Sequence, residues 1–253
     1  VQVLLNSFYN CYCASIATYT GDEDIFNVTF GTLNNTSTCS STGPGVGSVN
    51  QRYANYASGT GAPAAPNVIK GSTVPFSVQI GTCGSNYSNM TKIYIDWNQN
   101  GSYADAGEEV YVSPTYTSGP HTETGNILIP MTAVAGTTGM RVITVETTSA
   151  SSITPCGSYG WGETEDYLVN VIQPVPCSGA PAPGLTVASV NPACFVNPLV
   201  LSLQNPMTDL GLTFNWLTSP DGVTWSSTGV TTSTLTVNQS AATYYMCVVS
   251  CTN

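Results

Sequence analysis

The sequence predicts an all-β fold of two tandem antiparallel β-sandwiches, and three observations carry that prediction. Short segments alternate apolar and polar residues, with turn signals between them. β-Branched residues are abundant, strong helix formers are scarce, and only 7% of the 253 residues are charged. A proline-rich run divides the pattern, and a hydrophobic content of 42% is enough to build a core on each side of it.

The first segment, VQVLLNSFYN, carries no charge and has high β-propensity, so residues 1–12 read as an N-terminal strand that needs a partner. That partner is either the edge of its own sandwich or the edge of a neighbouring subunit, as in strand donation. In the first domain, residues 13–173, PFSVQI places Phe76, Val78 and Ile80 on one face and KIYIDW places Ile93, Ile95 and Trp97 together. NILIPM, MRVITVE and DYLVNVI supply three further strands, the last with Tyr167, Val169 and Val171 in line. Residues 174–184 hold four of the sixteen prolines and read as a semi-rigid linker. LVLSL, LTFNWL, STLTV and YYMCVV then predict a second sandwich over 185–253.

Fourteen acidic against four basic residues give a net charge of -10, which repels phosphate backbones and anionic lipid surfaces but suits divalent cations. Nucleic acid is therefore not an expected partner, and no segment is long and apolar enough to read as a membrane span. The absence of a basic, apolar leader suggests a mature chain whose export signal has been removed. The nine cysteines form no CxxC pair or other metal-ligand spacing, so disulfides and a compartment outside the cytosol are expected. In the first domain Cys13 with Cys39 and Cys83 with Cys156 is the expected pairing. Cys11 is left over, for an intersubunit bond or a free thiol.

DWNQNGSYADAGEE, residues 96–109, gathers four carboxylates and three carboxamides. Asp96, Asn98 and Asn100 followed by Gly101 reproduce the start of a calcium loop, D-x-[DN]-x-[DN]-G. Asp105 and Glu108 complete a candidate oxygen set, although the bidentate glutamate falls one residue late for an EF-hand. A calcium-bound β-hairpin loop is thus expected, the alternative being a polar turn capped by its own side chains. Further on, Glu163 and Glu165 share one strand face while Asp166 takes the other, and Arg141 is the economical partner for one of the three.

Two resemblances follow from these motifs. YIDWNQNGSYADAGEEVYV, TETGNILIP, MRVITVE and CGSYGWGETEDYLVNV resemble the GEVED domain of secreted Bacteroidota proteins, with Thr164 where the name has valine. The second domain, with Cys194, Trp216 and a tyrosine, Tyr245, two residues before Cys247, resembles an immunoglobulin-like module. Of three pairings there, the nested one, Cys177–Cys251 and Cys194–Cys247, is preferred. The resemblance implies an extracellular or cell-surface location and leaves the biochemical role open.

No enzyme is expected. His121, the single histidine, precludes HExxH and reads as an exposed loop residue, no GxSxG elbow occurs, and a Glu108–Glu163 carboxylate pair has a structural explanation already. The expected role is structural or adhesive: a calcium-stabilised subunit of a bacterial surface filament that self-associates into a linear or helical homopolymer. The second reading is a monomeric module binding a glycan or host-surface ligand, with Trp97, Trp161 and Trp225 as stacking platforms.

Overall fold

The computed structural model describes residues 11–193, 197–207 and 209–252, and the chain divides into two compact units after Gln173. The protein is nearly all β, as the alternating segments predict, and a short 3-10 stretch spans Ala150–Ser152.

In the first unit, one sheet has the order β10-β6-β2-β3, with β2 at Glu23–Phe30, β3 at Leu33–Thr36, β6 at Thr73–Thr82 and β10 at His121–Leu128. The larger sheet runs β4-β13-β11-β7-β8, with β4 at Tyr53–Asn55, β7 at Ser88–Ile95, β8 at Glu109–Val112, β11 at Gly136–Glu146 and β13 at Gly162–Ile172. β5 (Asn67–Ile69) extends it beside β13, and β9 (Thr117–Ser118) beside β7. A separate pair joins β1 (Ser15–Ala17) to β12 (Gly157–Tyr159).

The two large sheets enclose the main core. Val74, Phe76, Val78 and Ile80 of β6 face Ile93 and Ile95 of β7, Met140 and Val142 of β11, and Tyr167, Val169 and Val171 of β13. The larger sheet is covered on its other face too, where Met90, Tyr94, Ile143 and Val145 pack under Tyr103 and Ile153. Burial on both faces is why KIYIDW and MRVITVE carry apolar residues in near-continuous runs. Tyr12, expected outside the domain, stacks on Tyr103 at 4.6 Å between ring centres and belongs to this unit.

Two expectations are corrected here. The pairing is not wholly antiparallel, because β1–β12, β4–β13 and β5–β13 are parallel. Each of those short strands is reached by a crossover rather than a hairpin, and three residues are too few to show a period in sequence. The bridges are Cys13–Cys156 and Cys39–Cys83, not Cys13–Cys39 and Cys83–Cys156. The reason is topological: β1 runs beside β12, which sets Cys13 against the residue just before that strand.

The second unit has two three-stranded antiparallel sheets. One joins β14 (Thr186–Ala188), β15 (Pro198–Leu203) and β18 (Leu235–Asn238); the other joins β17 (Ser226–Ser227), β16 (Leu212–Ser219) and β19 (Tyr244–Cys251). Leu199, Leu201, Leu203, Trp216, Leu235 and Cys247 form its core. Trp216 is fully buried and donates its indole N–H to the Thr232 carbonyl at 2.9 Å. Cys177 is bonded to Cys251, and Val175 and Cys177 exchange backbone bonds with Leu210, so the proline-rich run begins inside this unit. Cys194, and with it the expected Cys194–Cys247 bridge, lies outside the described residues, as do residues 1–10 of the expected N-terminal strand.

Three disulfides are the chemistry of an oxidising, extracellular environment. Among the described residues no helix is long and apolar enough to cross a membrane.

Candidate functional site

The stretch Gly162–Tyr167 opens β13, and strand alternation sends its acids to opposite faces. Asp166 meets Arg141, its direct cross-strand partner on β11. The guanidinium forks onto the carboxylate, Nε to Oδ1 and Nη2 to Oδ2, both at 2.7 Å. Its Nη1 donates to the carbonyls of Cys13 at 2.9 Å and Pro155 at 2.6 Å, and its Cζ lies 4.9 Å from the centre of the Tyr103 ring. The Tyr53 hydroxyl donates to Asp166 Oδ2 at 2.8 Å. One buried ion pair thus ties together β11, β13, β4 and the two chain segments that carry the Cys13–Cys156 bridge. A cavity of about 40 Å³ beside it, lined by Tyr12, Ser15, Tyr53, Arg141 and Asp166 among others, has room for water and not for an organic ligand.

The opposite face of β13 is acidic with no cation facing it. Glu163 Oε2 accepts the Ile25 N–H at 3.1 Å, and Glu165 Oε2 accepts the Tyr167 hydroxyl at 2.7 Å. Glu165 Oε1, Asp24 Oδ1 and Glu23 Oε2 are buried without a hydrogen-bond partner. Burial pushes the Glu163 carboxyl well above the usual range, and Asp24 and Glu165 push it further. Burial likewise lifts Glu165 to about 8, against the Tyr167 hydrogen bond, and raises Asp24. Each shift favours the protonated form, because ionising all of these acids in a dry interior costs more than any neighbour returns.

The acidic loop joins β7 to β8. Asp96 Oδ1 accepts the Asn100 N–H at 3.2 Å, and Oδ2 accepts the Gly101 N–H and the Tyr12 hydroxyl, both at 2.9 Å. Gly101 turns the chain at φ +83°, which a side chain would oppose. The carboxamides of Asn98 and Asn100 both donate to Asp105 Oδ2, at 3.2 and 2.9 Å. Glu108 Oε1 takes the Asn98 N–H at 3.4 Å, while the buried Oε2 has no partner. Burial raises the Glu108 carboxyl, and the nearby Asp96 and Asp105 add to the rise. All five residues lie in one loop, where Asp96, Asp105 and Glu108 Oε1 accept from its N–H and side-chain donors and so cap the turn, while Glu108 Oε2 is left unsatisfied.

Other candidates are placed differently from expectation. His121 is partly buried at the start of β10, between the Gly119 carbonyl at 2.9 Å and Glu123 Oε1 at 3.3 Å. Ser113 Oγ donates to the same Glu123 oxygen at 2.8 Å, so histidine and serine converge on the carboxylate and not on each other. Trp97 is buried in the main core and cannot serve as a stacking platform, and Trp225 is half-buried. Trp161 is 38% exposed and packs against Tyr19, 4.7 Å between ring centres. Asp24, Cys39 and Cys83 cluster, but the two sulfurs are bonded to each other and offer no thiolate. Cys11 is exposed and unbridged. Sequence reasoning missed Asp24, Tyr12 and Tyr53; the only signal was the acidic run Asp22–Glu23–Asp24 at the head of an apolar strand.

No curated protein matches the chain. Residues 90–170, from β7 to β13 and including the acidic loop, Arg141 and the Gly162–Tyr167 motif, match the GEVED domain.

Proposed function

We propose that this chain is a structural and adhesive extracellular protein, a subunit of a bacterial surface filament of the Bacteroidota type, built from a GEVED-like and an immunoglobulin-like sandwich and joined through β-strand and domain contacts. The observation that supports it is the use to which the motif's ionisable groups are put. Arg141 and Asp166 cross-brace three strands and the two segments that carry the Cys13–Cys156 bridge, while Glu163 and Glu165 lie between the sheets away from solvent. Such an arrangement serves rigidity rather than turnover. Electron microscopy of the isolated protein before and after calcium chelation tests the reading: ordered filaments that weaken on chelation are expected, and dispersed monomers in both conditions would overturn it.

Calcium is part of this proposal, held by Asp96, Asn98, Asn100, Asp105 and Glu108. A ligand at a hundred times its Kd stabilises the folded state by ~2.7 kcal/mol. Saturating calcium should therefore raise the melting temperature of the first unit by about 5–10 °C. Glu108→Gln should remove most of that rise while leaving the calcium-free melting temperature nearly unchanged; an equal rise in the variant would remove Glu108 from the ligand set.

One observation favours a second reading, a glycan- or host-binding module: the surface pair Tyr19–Trp161, an aromatic platform of the kind sugars stack on. Glycan-array binding lost in Trp161→Ala, with the melting temperature retained, would establish it; an array blank for the wild type would remove it.

A further inference from the structure

Among the described residues, the second unit has an open side. β19 is hydrogen-bonded to β16 along one edge, Leu212 opposite Cys251 through Ser219 opposite Tyr244, and no described residue pairs with its other edge. The facing sheet ends on the same side with the three-residue β14, which packs against β19. Between β14, β15 and the start of β19 lies a groove of about 840 Å³, lined by Ala188, Val190, Leu199, Leu201 and Tyr245 among others. The core beside it is thinly covered. Tyr245 and Val249 point inward yet stay only partly buried, and Tyr244, Met246 and Val248 on the outer face are 58%, 37% and 41% exposed.

An eight-residue edge strand, YYMCVVSC, without a charge or a proline, lacks each device by which proteins blunt such edges. It is the backbone template that strand addition requires, with alternate side chains set to read the incoming strand. Building on the filament proposed above, we infer that the free edge of β19 and its groove accept residues 1–10 of a second copy of this chain. Three features of VQVLLNSFYN suit the site. It has no charged side chain, matching an acceptor without charge. Fully extended, ten residues reach roughly 33 Å, enough to cover the roughly 27 Å of β19. Val1, Val3 and Leu5 alternate with Gln2 and Leu4, so one apolar face of its first half can enter the groove while main-chain bonds form along the edge. The donor precedes the first unit and the acceptor lies in the second, so each contact is head-to-tail and leaves both ends of the growing assembly competent to extend.

Hydrogen exchange on the full-length chain, dispersed and assembled, tests the assignment. Amides of residues 244–251 and 1–10 should exchange at least tenfold more slowly in the assembly, while those of β16 change little. A synthetic peptide of sequence VQVLLNSFYN, added in excess to the full chain, should slow exchange in 244–251 and shorten the filaments; a scrambled peptide should do neither. Filaments whose 244–251 amides exchange as fast as in the dispersed chain would overturn this acceptor and leave the filament reading intact. Cross-links joining 244–251 of one copy to 244–251 of another would replace the donor with edge-to-edge pairing and overturn the inference. Peptide protection of β19 in a chain that never assembles would support the acceptor site and overturn the filament.

Discussion

Replacing Arg141 by methionine should destabilise the first unit by ~3–5 kcal/mol, because it leaves the Asp166 carboxylate buried with no countercharge. The expected fall in its melting temperature is on the order of 10 °C. The loss is not confined to the ion pair, since the Cys13 and Pro155 carbonyls lose the same donor. Pairing the change with Asp166→Leu should recover much of the stability, because two apolar groups of similar volume remove both desolvation costs at once. The Tyr53 hydroxyl would then lack its acceptor, so recovery should be incomplete. Calorimetry resolves the matter, with the second unit as internal reference: a single variant that melts within 2 °C or so of wild type would show that the fork is ornamental.

Stability of the same unit should rise as pH falls from 8 toward 4.5. The Glu165 carboxyl is raised from an ordinary 4.5 to about 8 by burial first, with Asp24 and Asp166 adding to it. Glu163 is raised by burial, Asp24 and Glu165, and the Tyr56 and Tyr167 hydroxyls face the same cluster. In each case the unfolded chain releases its proton at a lower pH than the folded one. The stabilisation is therefore complete below about 4.5 and is lost as pH rises through about 8. Glu165→Gln, which mimics the protonated acid, should flatten the dependence and raise the melting temperature at pH 8. A wild-type melting curve insensitive to pH over this range would refute the assignment. The second unit should behave oppositely at low pH, because amide N–H groups of Thr224 and Val223 hold Asp221 at about 2. Its contribution is present above the ordinary 3.8 and fades as pH drops toward 2.

Much of this architecture was legible in alternation alone. PFSVQI, MRVITVE, DYLVNVI, LTFNWL and YYMCVV each fall within a strand, because one buried face leaves a period of two and burial on both faces, as in MRVITVE, leaves a β-branched apolar run. The sequence could not reveal which strands lie side by side, and the cysteine pairing failed for that reason. Cys13 and Cys156, 143 residues apart, meet only because β1 lies along β12. The candidate site was half visible. Alternation separates Asp166 from Glu163 and Glu165, and the scarcity of cations singles out Arg141. Tyr53, Tyr12 and Asp24 join through tertiary packing that leaves no local pattern. His121 was misread because a strand start in a polar context looks like a loop.

The bridges also determine how the chain would carry tension. A pull entering at residue 11 and leaving at residue 252 meets Cys13 at once and passes through sulfur to Cys156, bypassing a covalent loop of 143 residues. It re-enters the backbone there, follows residues 157–176, and crosses again from Cys177 to Cys251, bypassing a further separation of 74. The backbone between the bridges is mostly β13, flanked by β11 on one side and by β4 and β5 on the other. That strand is already extended, so it can bear the load along its own covalent backbone, with its ten-residue ladder to β11 and the Arg141–Asp166 fork holding it in register. The GETEDY segment is thus the part of the molecule through which load would travel.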